Sequence, residues 1–117
     1  MNLLFPPADP ALAGRAVLAS GEYPCATCHT LTDLGWTGNL APSLDGIGSR
    51  TSRLDSSGLP DMATYLHESI RHPNDYTVPG YQPGLMPAFN PEPDQPNYMP
   101  ETDLENIIAY LLTQTGE

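Results

Sequence analysis

The sequence predicts an all-α domain of three to five short helices, and three observations carry that prediction. Near the C-terminus Leu104, Ile107, Ile108, Leu111 and Leu112 recur at i, i+3, i+4, i+7 and i+8, the spacing of one helix face. Almost nothing in the chain alternates apolar and polar residues as a half-buried strand does. Fourteen prolines and ten glycines in 117 residues imply short elements joined by long, stiff connections. That length suits one domain, taken as residues 1–117, and no internal repeat, low-complexity run or boundary interrupts it.

Along the chain, Asp9 is placed to cap a first helix with Pro10 at its first position. That helix runs through Ala11–Ser20 and stops at Gly21. A short helix is expected to carry Cys25 and Cys28. A further helix runs from about Asp61 to Arg71, with Met62, Tyr65, Leu66, Ser69 and Ile70 on one side, and His72-Pro73 ends it. Eight of the fourteen prolines lie from Pro73 to Pro100, which predicts an extended, preorganised loop. Thr102 with Glu105 forms the sequence pattern of a capping box, opening the last helix.

Charge removes several functions. Fourteen Asp and Glu stand against four Arg, with no Lys, for a net charge of −10. Nucleic-acid binding needs a basic face, and docking on anionic lipid needs a polybasic segment. No stretch approaches the roughly 20 apolar residues that span a bilayer. Met1 to Phe5 is apolar but lacks the basic flank and apolar length of a signal peptide, so the chain reads as cytosolic or as a mature, trimmed form.

The two cysteines decide between those. They stand in Cys25-Ala26-Thr27-Cys28-His29. A C-x-x-C pair alone reads as a redox dithiol, half a zinc site or a disulfide. A thioredoxin-like pair follows a buried strand, whereas Ser20-Gly21-Glu22-Tyr23-Pro24 reads as a turn. Zinc would need His67 and His72 to complete four ligands. The adjacent His29 favours another chemistry, since C-x-x-C-H is the attachment motif of c-type haem. On one helical turn i, i+3 and i+4 share a face, so two thioethers and an iron-binding imidazole can approach one cofactor together.

With these residues in hand, the chain resembles a class I c-type cytochrome over nearly its whole length. Gly14 with Leu18, and Ile107-Ile108-Ala109-Tyr110-Leu111, resemble the family's crossing terminal helices, and Gly14 and Tyr110 are expected to meet there. The segment from Ala41 through Pro42, Leu44 and Ile47 to Arg50 resembles the family's proximal loop. The resemblance implies that the Pro42 carbonyl accepts from His29 Nδ1, that Leu44 and Ile47 pack on the porphyrin, and that Arg50, with Arg53 as its neighbour, lies near a propionate. Val78 through Phe89, with Met86-Pro87, is similar to the methionine loop of bacterial members. By that resemblance Met86 is the sixth ligand, rather than Met99, which is tied to the start of the last helix. Tyr65 to Pro87 is similar to cytochrome domains of respiratory complexes, among them haem-copper oxidase subunits and the monohaem subunit of alternative complex III. An insertion around Asn90–Asn97 departs from the compact pattern.

The resemblance implies haem c, bound through Cys25 and Cys28, with iron held by His29 and Met86. An iron closed on both sides exchanges single electrons with respiratory or photosynthetic partners and leaves no place for substrate, so no enzyme activity is expected. The alternative is a small haem enzyme, peroxidase-like or gas-reactive, with Met86 displaced. Attachment of this kind implies a periplasmic or other extracytoplasmic protein. A diffusible partner is expected to carry a basic or apolar patch. Tyr76 and Tyr81 could donate to propionates, and Trp36 could cover the haem edge or simply pack. His67 is expected to face solvent, His72 to cap helix carbonyls, and Met62 to sit in the core.

Overall fold

The computed structural model describes residues 9–116. The Met1–Phe5 stretch lies outside them. Helix α1 (Pro10–Ala19) begins where its sequence demands, with the Asp9 carboxylate accepting from the Ala11 N–H at 2.9 Å. It ends at Ser20, and Gly21 follows with φ 78°, a conformation that costs glycine little. Helix α2 (Ser52–Ser57) is closed by Gly58. Helix α3 (Met62–Arg71) is capped by Asp61, which accepts from the Thr64 N–H at 2.7 Å. Helix α4 (Glu101–Leu112) buries Leu104, Ile107, Ile108, Tyr110 and Leu111.

Helices α1 and α4 form the principal packing of the molecule, and α3 leans on α4. Leu18, Leu66, Ile70, Phe89, Leu104, Ile107 and Leu111 belong to the single core between them. The α1–α4 crossing is close because position 14 has no side chain. A Cβ there would overlap the Asn106 carbonyl and lie 2.9 Å from the Ile107 nitrogen. Gly14 therefore meets the backbone of Asn106–Ile107 rather than Tyr110. Tyr110 reaches instead to Asp33, whose carboxylate also takes the Arg15 Nε at 3.0 Å, so the same helix pair is tied to the loop after the cysteines.

Several expectations shift in detail. The cysteines sit on a 3₁₀ turn (Pro24–Thr27) rather than a regular helix. The four α-helices include α2 in its place. Strands β1 (Thr30–Leu31) and β2 (Trp36–Thr37) form a two-residue hairpin with Leu31 opposite Trp36. Thr102 and Glu105 make no capping box, because α4 starts two residues earlier with Pro100 as its N-cap and no side-chain bond there. Glu101 and Asp103 supply negative charge to its first turn instead. The proline-rich stretch from Pro73 to Pro100 is irregular as expected. Within it the Asn90 N–H donates to the Asn97 carbonyl at 3.0 Å and the Met99 N–H to the Asn90 carbonyl at 2.8 Å, so the insertion closes on itself as a loop.

Candidate functional site

The C-x-x-C-H turn is wound by two bonds to one carbonyl. Cys28 and His29 N–H both donate to the Cys25 oxygen, at 3.3 and 3.1 Å. The chain then loops through the β-hairpin and returns alongside. The returning backbone approaches so closely that a Cβ at Gly38 would lie 2.7 Å from the Cys28 carbonyl carbon and 2.9 Å from the His29 nitrogen. A ladder of bonds then holds the returning loop to the motif. The Ala41 N–H donates to the Cys28 carbonyl at 3.0 Å and the Leu44 N–H to the Thr30 carbonyl at 2.8 Å. Asp45 completes it, accepting from the Thr32 N–H at 2.8 Å and its hydroxyl at 2.7 Å. Those two bonds hold the Asp45 carboxyl below its usual range.

Within this ladder the His29 Nδ1 lies 2.7 Å from the Pro42 carbonyl oxygen. A carbonyl only accepts, so Nδ1 carries the proton and Nε2 is left with its lone pair. Burial pushes the imidazole pKa down, against the smaller opposing effect of the Pro42 bond, which keeps the ring neutral as a metal ligand must be. Burial likewise pushes the Cys25 thiol up to about 11.

Cys25 and His29 line a cleft that opens to solvent. Its lining comes from three sources. Leu18, Leu66, Ile70, Ile107 and Leu111 reach it from the helical core. Leu40, Pro42, Leu44 and Ile47 come from the proximal loop, and Tyr76, Val78, Tyr81, Leu85 and Met86 from the proline-rich loop. Between Pro79 and Pro87, Met86 alone is half-buried and its neighbours are exposed. It packs against the core cluster. The other described methionines do not line the cleft: Met62 is 7% and Met99 1% exposed, both within the core.

The structure redistributes other candidates. Arg50 does not line the cleft; its guanidinium turns to the Asp45 carbonyl, at 3.0 and 3.3 Å, and serves the ladder. Arg53 lines the cleft instead, with Nη1 3.3 Å from the Tyr65 hydroxyl. A helix of only six residues turns Arg53 inward, which the sequence around it does not announce. Trp36 packs on the core, outside the cleft lining. Phe89 is buried edge-on against Tyr23 at 5.8 Å, so of the apolar residues near Met86 it is Leu85 that lines the cleft.

The histidines of the zinc alternative do not join the cysteines. His67 is half-buried, with Nε2 3.1 Å from Glu101, and His72 Nδ1 lies 2.9 Å from Glu68 rather than on helix carbonyls. Sequence reasoning missed Gly38, Asp45 and Leu40. No periodicity marks them, since their roles arise only when the returning loop meets the motif.

The residues present fit a covalently held haem. Two thiols stand in one turn beside an imidazole with Nε2 uncommitted, a thioether lines the same cleft, and apolar side chains supply most of the wall. A family model described as Cytochrome c matches residues 11–115. No curated protein matches the chain.

Proposed function

The chain belongs to the cytochrome c family and binds haem covalently through Cys25 and Cys28 for electron transfer, and from that premise we propose that His29 and Met86 would hold its iron. One observation carries the reading: His29, with Nδ1 engaged by Pro42, and Met86 line one cleft, while Met62 and Met99 do not. When bound, the haem supplies an iron that passes a single electron. The protein's part is to fix that iron's surroundings. The Pro42 carbonyl holds the imidazole in one tautomer and orientation. Met86 favours the ferrous state, as does the apolar lining that keeps water away. Arg53 is the cation placed to meet a haem carboxylate, with Tyr76 and Tyr81 beside the same cleft. An iron held by both side chains would leave no place for substrate, so the chain would carry electrons and catalyse no bond change. Ferrous protein is therefore expected to be low-spin and to bind CO slowly. Rapid CO binding without mutation would overturn this and favour the gas-reactive or peroxidase-like alternative.

The working partners are redox proteins, and a respiratory complex is the reading that the Tyr65–Pro87 segment supports. Thioether attachment supports an extracytoplasmic location, and no helix among the described residues is long and apolar enough to cross a membrane. Leu40, Tyr81 and Leu85 line the cleft and are 59%, 38% and 48% exposed, which gives its mouth an apolar rim. Every arginine is already engaged, by Asp33, the Asp45 carbonyl, Tyr65 or the core. The partner is thus expected to present a basic or apolar patch. With a basic partner the second-order electron-transfer rate falls as salt rises. A flat response would mark apolar docking or a fixed complex, and a rising rate an acidic partner, which would refute the charge argument.

A further inference from the structure

Arg71 is the buried charged side chain among the described residues, 5% exposed, and nothing in the haem cleft uses it. It follows Ile70 at the end of α3, just off the stripe of Met62, Tyr65, Leu66 and Ile70. An apolar side chain would fill that place without the penalty of a buried cation. The guanidinium's partners explain why a cation stands there. Nη1 donates to the Phe89 carbonyl at 3.1 Å and the Met99 carbonyl at 2.7 Å, and Nη2 to Glu101 at 3.0 Å. His67 closes on the other Glu101 oxygen at 3.1 Å.

Both carbonyls belong to buried residues, and neither accepts from a backbone N–H among the described residues. Buried carbonyls without partners are costly, so the guanidinium satisfies two that the irregular loop cannot. Phe89 is held twice over, since its N–H donates to the Ile70 carbonyl at 3.1 Å. Consecutive residues of α3 thus grip both polar groups of Phe89. The chain between them, 72–88, is an excursion whose two ends are pinned at one point, and Met86 stands three residues before the pin. The second excursion, 90–98, shares that root through Met99.

We infer that Arg71 is a positioning residue, rooting the 72–88 loop so that Met86 is held at the cleft. The last clause rests on the proposed ligation; the rooting does not. The two are tested apart on the haem-bound protein, by hydrogen exchange for the loop and by the thioether charge-transfer band for the ligand. In Arg71→Met, the hydrogen-bonded amides of Tyr81, Phe89 and Asn90 should exchange roughly tenfold or more faster while α1 and α4 keep their protection, the change that follows when local opening no longer breaks a charge-assisted bond. The band should fade on warming before helicity is lost, and Arg71→Lys should recover part of both. Should Arg71→Met fail to fold, Glu101→Gln carries the test, with a smaller acceleration at the same amides. Exchange at Tyr81, Phe89 and Asn90 that is unchanged, or that rises only in step with α1 and α4, overturns the inference. A band that survives Met86→Ala would overturn the ligation alone, and the exchange result would still decide the role of Arg71.

Discussion

Haem should remain on the unaltered chain through denaturation and acid–acetone extraction, and the Cys25→Ala, Cys28→Ala double variant should release it or fail to mature. Each single variant should keep one thioether or be made in reduced yield. The mass of the denatured chain and the colour of the extracted pellet read this directly. The effect is expected to be large because the cleft is part of the core. Leu18, Leu66, Ile70, Ile107 and Leu111 line it and belong to the same cluster that packs α1, α3 and α4. Without the group that fills it, those side chains lose their partners, and a ligand bound only by the folded state stabilises it by mass action. The double variant should therefore unfold with a broader, less cooperative transition as well as lose its colour. Extractable haem in the unaltered protein would refute the attachment.

The terminal helices and α3 were legible because their signals are local. Asp9 and Asp61 cap the helices they precede, and the apolar stripes of α3 and α4 are the faces found buried. What failed depends on residues distant in the chain. The start of α4 is set by Arg71 and His67 drawing Glu101 into its first turn, and a local pattern at Thr102 does not compete with that. The cysteine turn tightens because Gly38 returns against it. Helix α2 has six residues and one apolar side chain, too few to show a period.

The site divides in the same way. Cys25, Cys28 and His29 are a contiguous motif and could be read at once. The Pro42 bond to His29 was expected from resemblance alone, and the place of Met86 in the cleft from resemblance and its Pro- and Gly-rich loop, since no local pattern links either to the motif. Arg53 lines the cleft and Arg50 does not, because a short helix, invisible in the pattern, turns Arg53 inward. Arg71 ends a helix beside a histidine and a proline, where a cation usually meets solvent. Its partners lie 18 to 30 residues further on, so its burial follows from tertiary structure alone.

Replacing the two candidate methionines should separate ligation from packing. Met86→Ala is expected to abolish the thioether charge-transfer band of the oxidised protein, lower the potential and admit CO. Its loop is otherwise exposed from Pro79 to Pro87, so stability beyond the lost ligand should change little. Met99→Ala should do the reverse. Met99 is 1% exposed, and its N–H and carbonyl are both engaged, so the truncation leaves a cavity in the core costing about 2–5 kcal/mol while band, potential and CO exclusion persist. Raising the pH adds a second discrimination. The chain has no lysine, so no lysine amine can replace the methionine. An alkaline form would have to use hydroxide, the terminal amine, or His67 or His72, and these histidines lie against Glu101 and Glu68 outside the cleft lining. Hydroxide should therefore dominate, and His67→Gln with His72→Gln should leave the alkaline spectrum unchanged. If Met99→Ala removes the band and Met86→Ala keeps it, the sixth ligand lies in the core segment, and the loop that Arg71 roots serves packing alone.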